Sequence, residues 1–124
     1  KYPAKAKENV IKYRKGMTKV MELPLEKRNQ LIAKNPLYGQ IVCFCENVSA
    51  GEIIEAINRP LSPTTIDGLK RRIRVGMGKC QSGFCLNKSM KLLSQELNKD
   101  IFTITKNGKH STYLVGLNKE VNHE

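Results

Sequence analysis

Apolar residues recur at helical spacing through the middle of the chain, and these stripes set the expected architecture. Ala50, Ile53, Ile54 and Ile57 stand at i, i+3, i+4 and i+7, one face of a helix. Ser49-Ala50-Gly51-Glu52 ahead of them is a capping-box signature. Arg59-Pro60 stops the pattern, because a residue before proline avoids the helical region. A second helix follows Leu61 to Thr64, with Thr64 or Thr65 as its cap and Asp67 in its first turn. It buries Ile66, Leu69 and Ile73, shows Lys70, Arg71, Arg72 and Arg74 to solvent, and ends at Gly76 and Gly78. A third helix starts near Ser82 to Phe84 and carries Leu86, Met90, Leu93 and Leu97. Upstream, Leu23 to Lys34 predicts a short helix with Pro24 in its first turn and Asn35-Pro36 at its end. Leu37 to Val42 then runs extended.

Two β-prone runs, Ile101 to Lys106 and Thr112 to Val115, flank Asn107-Gly108, a tight-turn pair, and predict a small hairpin. The first 22 residues are rich in lysine and lack a clear apolar period, with Tyr2, Val10, Ile11, Tyr13, Met17, Val20 and Met21 scattered through them. They read as a connector, residues 23–117 as a domain, and residues 118–124 as a polar tail that frays. The expected fold is mainly α, a small helical domain with a short β hairpin.

Charge adds a question about partners. The chain carries 22 basic and 11 acidic residues, a net charge of +11, which raises nucleic acid as a partner. The plainer alternative is a solvated basic surface. Two adjacent short helices with a basic second one also suggest a helix-turn-helix, although that geometry alone establishes no function. No run of 18 apolar residues is present, so no transmembrane helix is expected. The chain starts at Lys1 without a signal-peptide pattern, which reads as a piece of a longer, cytoplasmic protein. Thiols stay reduced in that compartment, favouring metal ligation over disulfides.

All four cysteines lie between Ile41 and Cys85, as a C-x-C pair (Cys43, Cys45) and a C-x4-C pair (Cys80, Cys85). Two short clusters of thiols suggest one four-ligand site closed by folding. A C-x-C arm is unusual for zinc, which remains the alternative, whereas a 2Fe–2S cluster takes two thiolates on each iron and tolerates varied spacing. Such a cluster with its thiolates carries about −2, or about −3 when reduced, and nearby cations ease its burial. Gly76 and Gly78 let backbone come close without a side-chain clash. Gln81, Ser82 and Gly83 place backbone N–H groups near sulfur. Phe44, between two ligands, either shields the site or belongs to the core.

Other chemistries fit less well. No C-x2-C redox pair exists, and His110 and His123 lie far from the cysteines, unlike a Rieske centre. Gly76-Met77-Gly78 lacks the third glycine of a dinucleotide loop, and Gly78-Lys79-Cys80 is no Walker loop. No paired carboxylates and no nucleophile with a positioned base appear, so the chain itself reads as non-catalytic.

Three stretches together resemble a known family. Ile41-Val42-Cys43-Phe44-Cys45-Glu46, Thr65-Ile66-Asp67-Gly68-Leu69-Lys70-Arg71-Arg72 and Gly76-Met77-Gly78-Lys79-Cys80-Gln81-Ser82-Gly83-Phe84-Cys85 are similar to the bacterioferritin-associated-ferredoxin-like 2Fe–2S domain. They look most like the version near the C-terminus of FAD-dependent dehydrogenases of the anaerobic glycerol-3-phosphate type. The resemblance implies a helix-turn-helix-like core with the cluster held in edge loops by Cys43, Cys45, Cys80 and Cys85. It also implies a flavin domain in the same polypeptide that passes electrons onward, to an electron-acceptor protein or subunit. From the basic face of the second helix only weak, sequence-indifferent nucleic-acid binding is expected, with no specific nucleic acid as partner. One departure is Leu86-Asn87 after the last cysteine, where many relatives have Gly-Pro.

Overall fold

The computed structural model of the chain describes residues 8–10 and 13–117. The expected tail, His123, Tyr2, Ile11 and most of the first part of the connector lie outside them. Helix α1 (Leu25–Lys34) follows Pro24 and ends at Asn35, whose side chain accepts from the Leu37 N–H at 3.1 Å and starts a 3-10 turn, Pro36–Gly39. Strands β1 (Ile41–Cys43) and β2 (Val48–Ser49) pair antiparallel, Ile41 opposite Ser49 and Cys43 opposite Val48. Helices α2 (Ala50–Asn58), α3 (Ile66–Ile73) and α4 (Leu86–Glu96) follow, then a 3-10 turn at Ile101–Thr103. Among the described residues the architecture is mainly helical with one two-stranded ladder, and no helix is long and apolar enough to cross a membrane.

Helix α2 is central and packs against α3, α4 and the Pro36–Gly39 turn. Of its predicted stripe, Ala50, Ile53 and Ile57 are buried while Ile54 is only half-buried. Ala56 joins the buried three, and together they meet Ile66 and Leu69 of α3 and Met90 and Leu93 of α4 in one cluster. Val42, Val48, Val75 and Ile104 close that cluster at its ends. Burying each large aliphatic side chain contributes about 1.5–3 kcal/mol. Both halves of the capping box form. Ser49 Oγ accepts from the Glu52 N–H at 3.3 Å, and Glu52 Oε2 accepts from the Ser49 N–H at 2.7 Å. At α3 the cap is Thr65, which accepts from the Gly68 N–H at 3.1 Å.

The same Glu52 reaches outward. Its Oε1 accepts from the N–H of Val20, a residue only 1% exposed, at 3.2 Å. Beside it, Glu55 accepts from the Thr18 N–H at 3.4 Å and pairs with Arg59 at 3.2 Å. Arg59 in turn donates to the Gly16 carbonyl at 2.7 Å. Residues 16–22 therefore form a strap tied across α2. These are the last seven residues of the expected connector.

Four local expectations change. Leu37 to Gly39, expected extended, lies in the 3-10 turn, where the Asn35 cap and Pro36 tighten the chain before β1. The hairpin expected at 101–115 is a single bridge, Thr105 to Thr112, behind a 3-10 turn. The carbonyls of Thr105 and Lys106 instead accept from the N–H groups of Ile66 and Asp67, at 3.1 and 2.8 Å, and so satisfy the free end of α3. The regular ladder lies in the cysteine arm, with Cys43 in β1. Helix α3 ends at Ile73, earlier than the glycines suggest. Arg74 takes the left-handed cap position with φ 62°, held there by its N–H on the Lys70 carbonyl and its side chain on Glu46. Helix α4 starts at Leu86, two residues after Phe84, because residues 80–84 are turns that wrap Cys80.

Tyr38 lies flat against α2 at Gly51. A Cβ at that glycine would sit 2.6 Å from the ring Cγ. Gly51→Ala is expected to cost about 1–3 kcal/mol in denaturant unfolding, the range for overpacking a filled site. In a Tyr38→Ala background most of that cost should vanish. An equal cost in both backgrounds would show that the ring contact is not what requires glycine.

Candidate metal centre

Two loops carry the cysteines, and the body brings them face to face. The first is the β1–β2 turn, where Cys43 closes β1 and Asn47, with φ 53°, reverses the chain. The second runs from Arg74 to Cys85, between α3 and α4. An ion pair joins them: Arg74 Nε donates to Glu46 Oε2 at 2.7 Å, and this guanidinium holds the Glu46 carboxyl below the usual carboxylate range. The glycines define the rest of the seam. A Cβ on Gly78 would run into the Cβ of Cys45. Gly76 has φ 79°, and a Cβ there would collide with Ser82 Oγ and stand 3.7 Å from Cys85 Sγ. Only glycine lets backbone approach that closely.

The loop before Cys85 folds back on itself. Ser82 Oγ donates to the Gly76 carbonyl at 3.0 Å, Gln81 Nε2 to the Gly78 carbonyl at 3.0 Å, and the Gly83 N–H to the Cys80 carbonyl at 3.0 Å. Gln81 and Ser82 are consecutive left-handed residues, with φ 48° and 73°. Left-handed non-glycine backbone costs about 1 kcal/mol or more per residue and persists only where its surroundings impose it. Here the surroundings are the hydrogen bonds that fold the loop around Cys80. The Phe84 N–H, foremost, with the Cys45 thiol and the Ser82 and Gly83 N–H groups, pulls the Cys80 pKa below the ordinary thiol value.

Exposure divides the four thiols. Cys43 and Cys85 are 1% and 2% exposed, while Cys80 is half-buried and Cys45 is open to solvent. Burial, followed by the neighbouring Cys43 and then Cys80, pushes the Cys85 thiol up to about 11. By exposure the thiols divide into a sealed pair, Cys43 and Cys85, and an outer pair, Cys45 and Cys80, each pair with one residue from each loop. Among the described residues no three His, Cys, Asp or Glu side chains gather around a point that one metal ion would occupy. Two loops, each contributing two thiols, supply the four sulfurs that a 2Fe–2S group takes. The donor set is all sulfur, as an iron–sulfur group requires.

Phe44 is not part of the core. It is 73% exposed, as Phe84 is 83% exposed, so both rings stand in solvent beside the cysteine loops. His110 is exposed, in the loop between Thr105 and Thr112. The Glu46–Arg74 pair and the Phe84 amide were not foreseeable as site groups. Glu46 follows Cys45 directly, but only the left-handed end of α3 turns Arg74 toward it.

Comparison with known proteins adds the decisive observation. Residues 41–95 match the BFD-like 2Fe–2S binding domain, a span that contains both cysteine loops and helices α2, α3 and α4 up to Gln95. This segment belongs to that family. Relatives of the BFD-like domain here are parts of larger proteins. The chain is 40% identical over 113 residues to a glycerol 3-phosphate dehydrogenase of Caloramator mitchellensis, covering 91% of this chain and 24% of that protein. It is 38% identical over 64 residues to an anaerobic glycerol-3-phosphate dehydrogenase subunit of Escherichia coli (strain K12), covering 52% of this chain and 12% of that protein. A hydrogen cyanide synthase subunit HcnB of Pseudomonas aeruginosa is 41% identical over 46 residues, 37% of this chain and 10% of that protein. The chain therefore spans a quarter or less of the curated relatives it matches. No solved structure matches it significantly.

The seam between Gly78 and Cys45 gives a direct test. Gly78→Ala is expected to lower the affinity for iron about tenfold after anaerobic reconstitution with iron and sulfide, the scale seen when supporting groups around a metal are disturbed. Gly108→Ala, where nothing lies within 4 Å of the added methyl, serves as the control. Equal iron retention in the two variants would show that close approach at Gly78 is not part of the site.

Proposed function

We propose that the chain is the 2Fe–2S electron-transfer domain of a larger FAD-dependent dehydrogenase, acting on glycerol 3-phosphate or a similar hydroxyl-bearing substrate. Cys43, Cys45, Cys80 and Cys85 are its ligands. Gly76 and Gly78 give the cluster room, and Gln81, Ser82 and Gly83 shape the loop whose amides face Cys80. Helices α2 and α3 form the helix-turn-helix-like core, with the cluster in the loops at its edge. Residues 1–22 lead from a flavin-bearing domain, residues 23–117 are the cluster domain, and residues 118–124 are a tail. The supporting observation is the half-open thiol set: an inner pair sealed in the core and an outer pair at the surface. A group that only stapled the fold has no need of the exposed half.

When bound, the cluster takes up and passes on one electron at a time. The chain's own residues hold its charge. The Cys80 amides face the thiolate, and the ion-paired Arg74 keeps a cation at the join of the two loops. Burial of Cys43 and Cys85 excludes water from one side, which protects the sulfur from exchange. The basic face of α3 is partly committed within the molecule, since Arg72 donates to the Leu61 carbonyl and Arg74 to Glu46. That supports a structural use of these cations ahead of nucleic-acid binding.

Protein purified or reconstituted without oxygen should hold about two irons and two sulfides per chain and give a reduced-cluster EPR signal with dithionite. Colourless protein with one zinc and no sulfide would replace the cluster with the single-ion alternative. In the longer enzyme, rapid mixing with the reducing substrate should bleach the flavin and then reduce the cluster at a rate no slower than turnover. A cluster that stays oxidised while the flavin turns over at full rate would remove the relay role.

A further inference from the structure

Between α1 and the strap before it lies a groove of about 620 Å³. One wall is a single stripe of α1, Lys27, Gln30, Leu31 and Lys34, at positions that a helix stacks along one face. The facing wall is the strap, with Lys15, Met17 and Lys19. Half-buried Met17, Leu23 and Leu31 make the groove apolar at depth. Its charge is one-sided: four lysines line it against one acid, Glu22, which is taken by Lys19 at 2.7 Å. Lys15, Lys27 and Lys34 have no ionic partner among the described residues.

Helix α1 itself is incompletely packed. It has ten residues and buries none of them. Arg28, donating to the Met21 and Leu23 carbonyls at 3.0 and 3.1 Å, and the neighbouring Pro36–Gly39 turn hold it to the body. A helix of this length is marginal in water without tertiary contacts, and this one turns a lysine-and-leucine stripe toward an open groove.

We infer that this groove docks an acidic amphipathic segment of a partner protein. Charge complementarity selects the partner. Lys27 and Lys34 are seven residues apart, about 10 Å along the helix axis, so carboxylates two turns apart on a docked helix meet both. Apolar side chains on the same face of that helix cover Met17 and Leu31, the groove-and-anchor mode of helix recognition. Nucleic acid is disfavoured, because no aromatic residue lines the groove for base stacking and the apolar floor of Met17, Leu23 and Leu31 would stay uncovered by a phosphate backbone. The inference does not depend on the cluster.

The test is fluorescence anisotropy with the whole chain and a labelled 14-residue peptide carrying leucines at i, i+4 and i+7 and glutamates elsewhere. K27E/K34E should weaken binding about tenfold, as attraction at two sites becomes repulsion. K88E/K91E changes the net charge equally on the exposed face of α4, outside the groove, and should stay within about twofold. Far-ultraviolet circular dichroism checks that both variants fold. Equal weakening by the two variants, equal binding of a scrambled peptide, or displacement of the peptide by oligonucleotide or polyphosphate at lower concentration would each overturn the assignment. So would no saturable peptide binding at low salt.

Discussion

One buried carboxylate joins the parts of this domain that sequence keeps apart. Glu52 is nearly sealed from solvent and accepts three hydrogen bonds, from the Val20 N–H and from the N–H and hydroxyl of Ser49. It caps α2, fixes Ser49 where that residue pairs with Ile41 of β1, and holds the strap. A buried carboxylate is tolerable only when its oxygens are so occupied. Any shift of the strap, the cysteine hairpin or the first turn of α2 leaves one of those donors unpaired, at about 1–3 kcal/mol for each buried group. The three elements therefore move as one.

That rigidity is passed to loops, not to helices, at the cysteine site. The Arg74–Glu46 pair, the glycine seam and the left-handed Gln81-Ser82 step are all irregular backbone held from outside. The division into sealed and exposed thiols follows directly, because Cys43 sits in a strand against the core and Cys85 at the start of α4, while Cys45 and Cys80 lie on the turns. A group bound there has one dry side and one side open to solvent.

The net charge of +11 has two fates in the fold. Four of the six arginines bond within the molecule: Arg28, Arg59 and Arg72 donate to backbone carbonyls and Arg74 to Glu46. A planar guanidinium with several fixed donors suits such joints. Lysines remain at the surface, and those around the α1 groove are concentrated by folding, since Lys15 and Lys34 are far apart in sequence.

By itself the sequence determined most of the helices and the grouping of the cysteines into two short pairs. A 3.6-residue apolar period, a capping box and a proline stop are local signals, and the buried stripe of α2 and its caps follow from them. The four cysteines were readable as two short clusters flanking two helices, which is a local pattern. Tertiary structure decided what local signals do not hold. It placed the ladder at β1–β2 and left one bridge near Asn107-Gly108, because the unpaired N–H groups of α3 took the Thr105 and Lys106 carbonyls. It ended α3 on Arg74, where a distant carboxylate made a left-handed arginine tolerable, and it drew the scattered apolar residues of the strap onto α2. It also sorted the cysteines into sealed and open pairs. Each of these outcomes depends on a hydrogen-bond or packing partner many residues away, and no local period encodes which partner arrives.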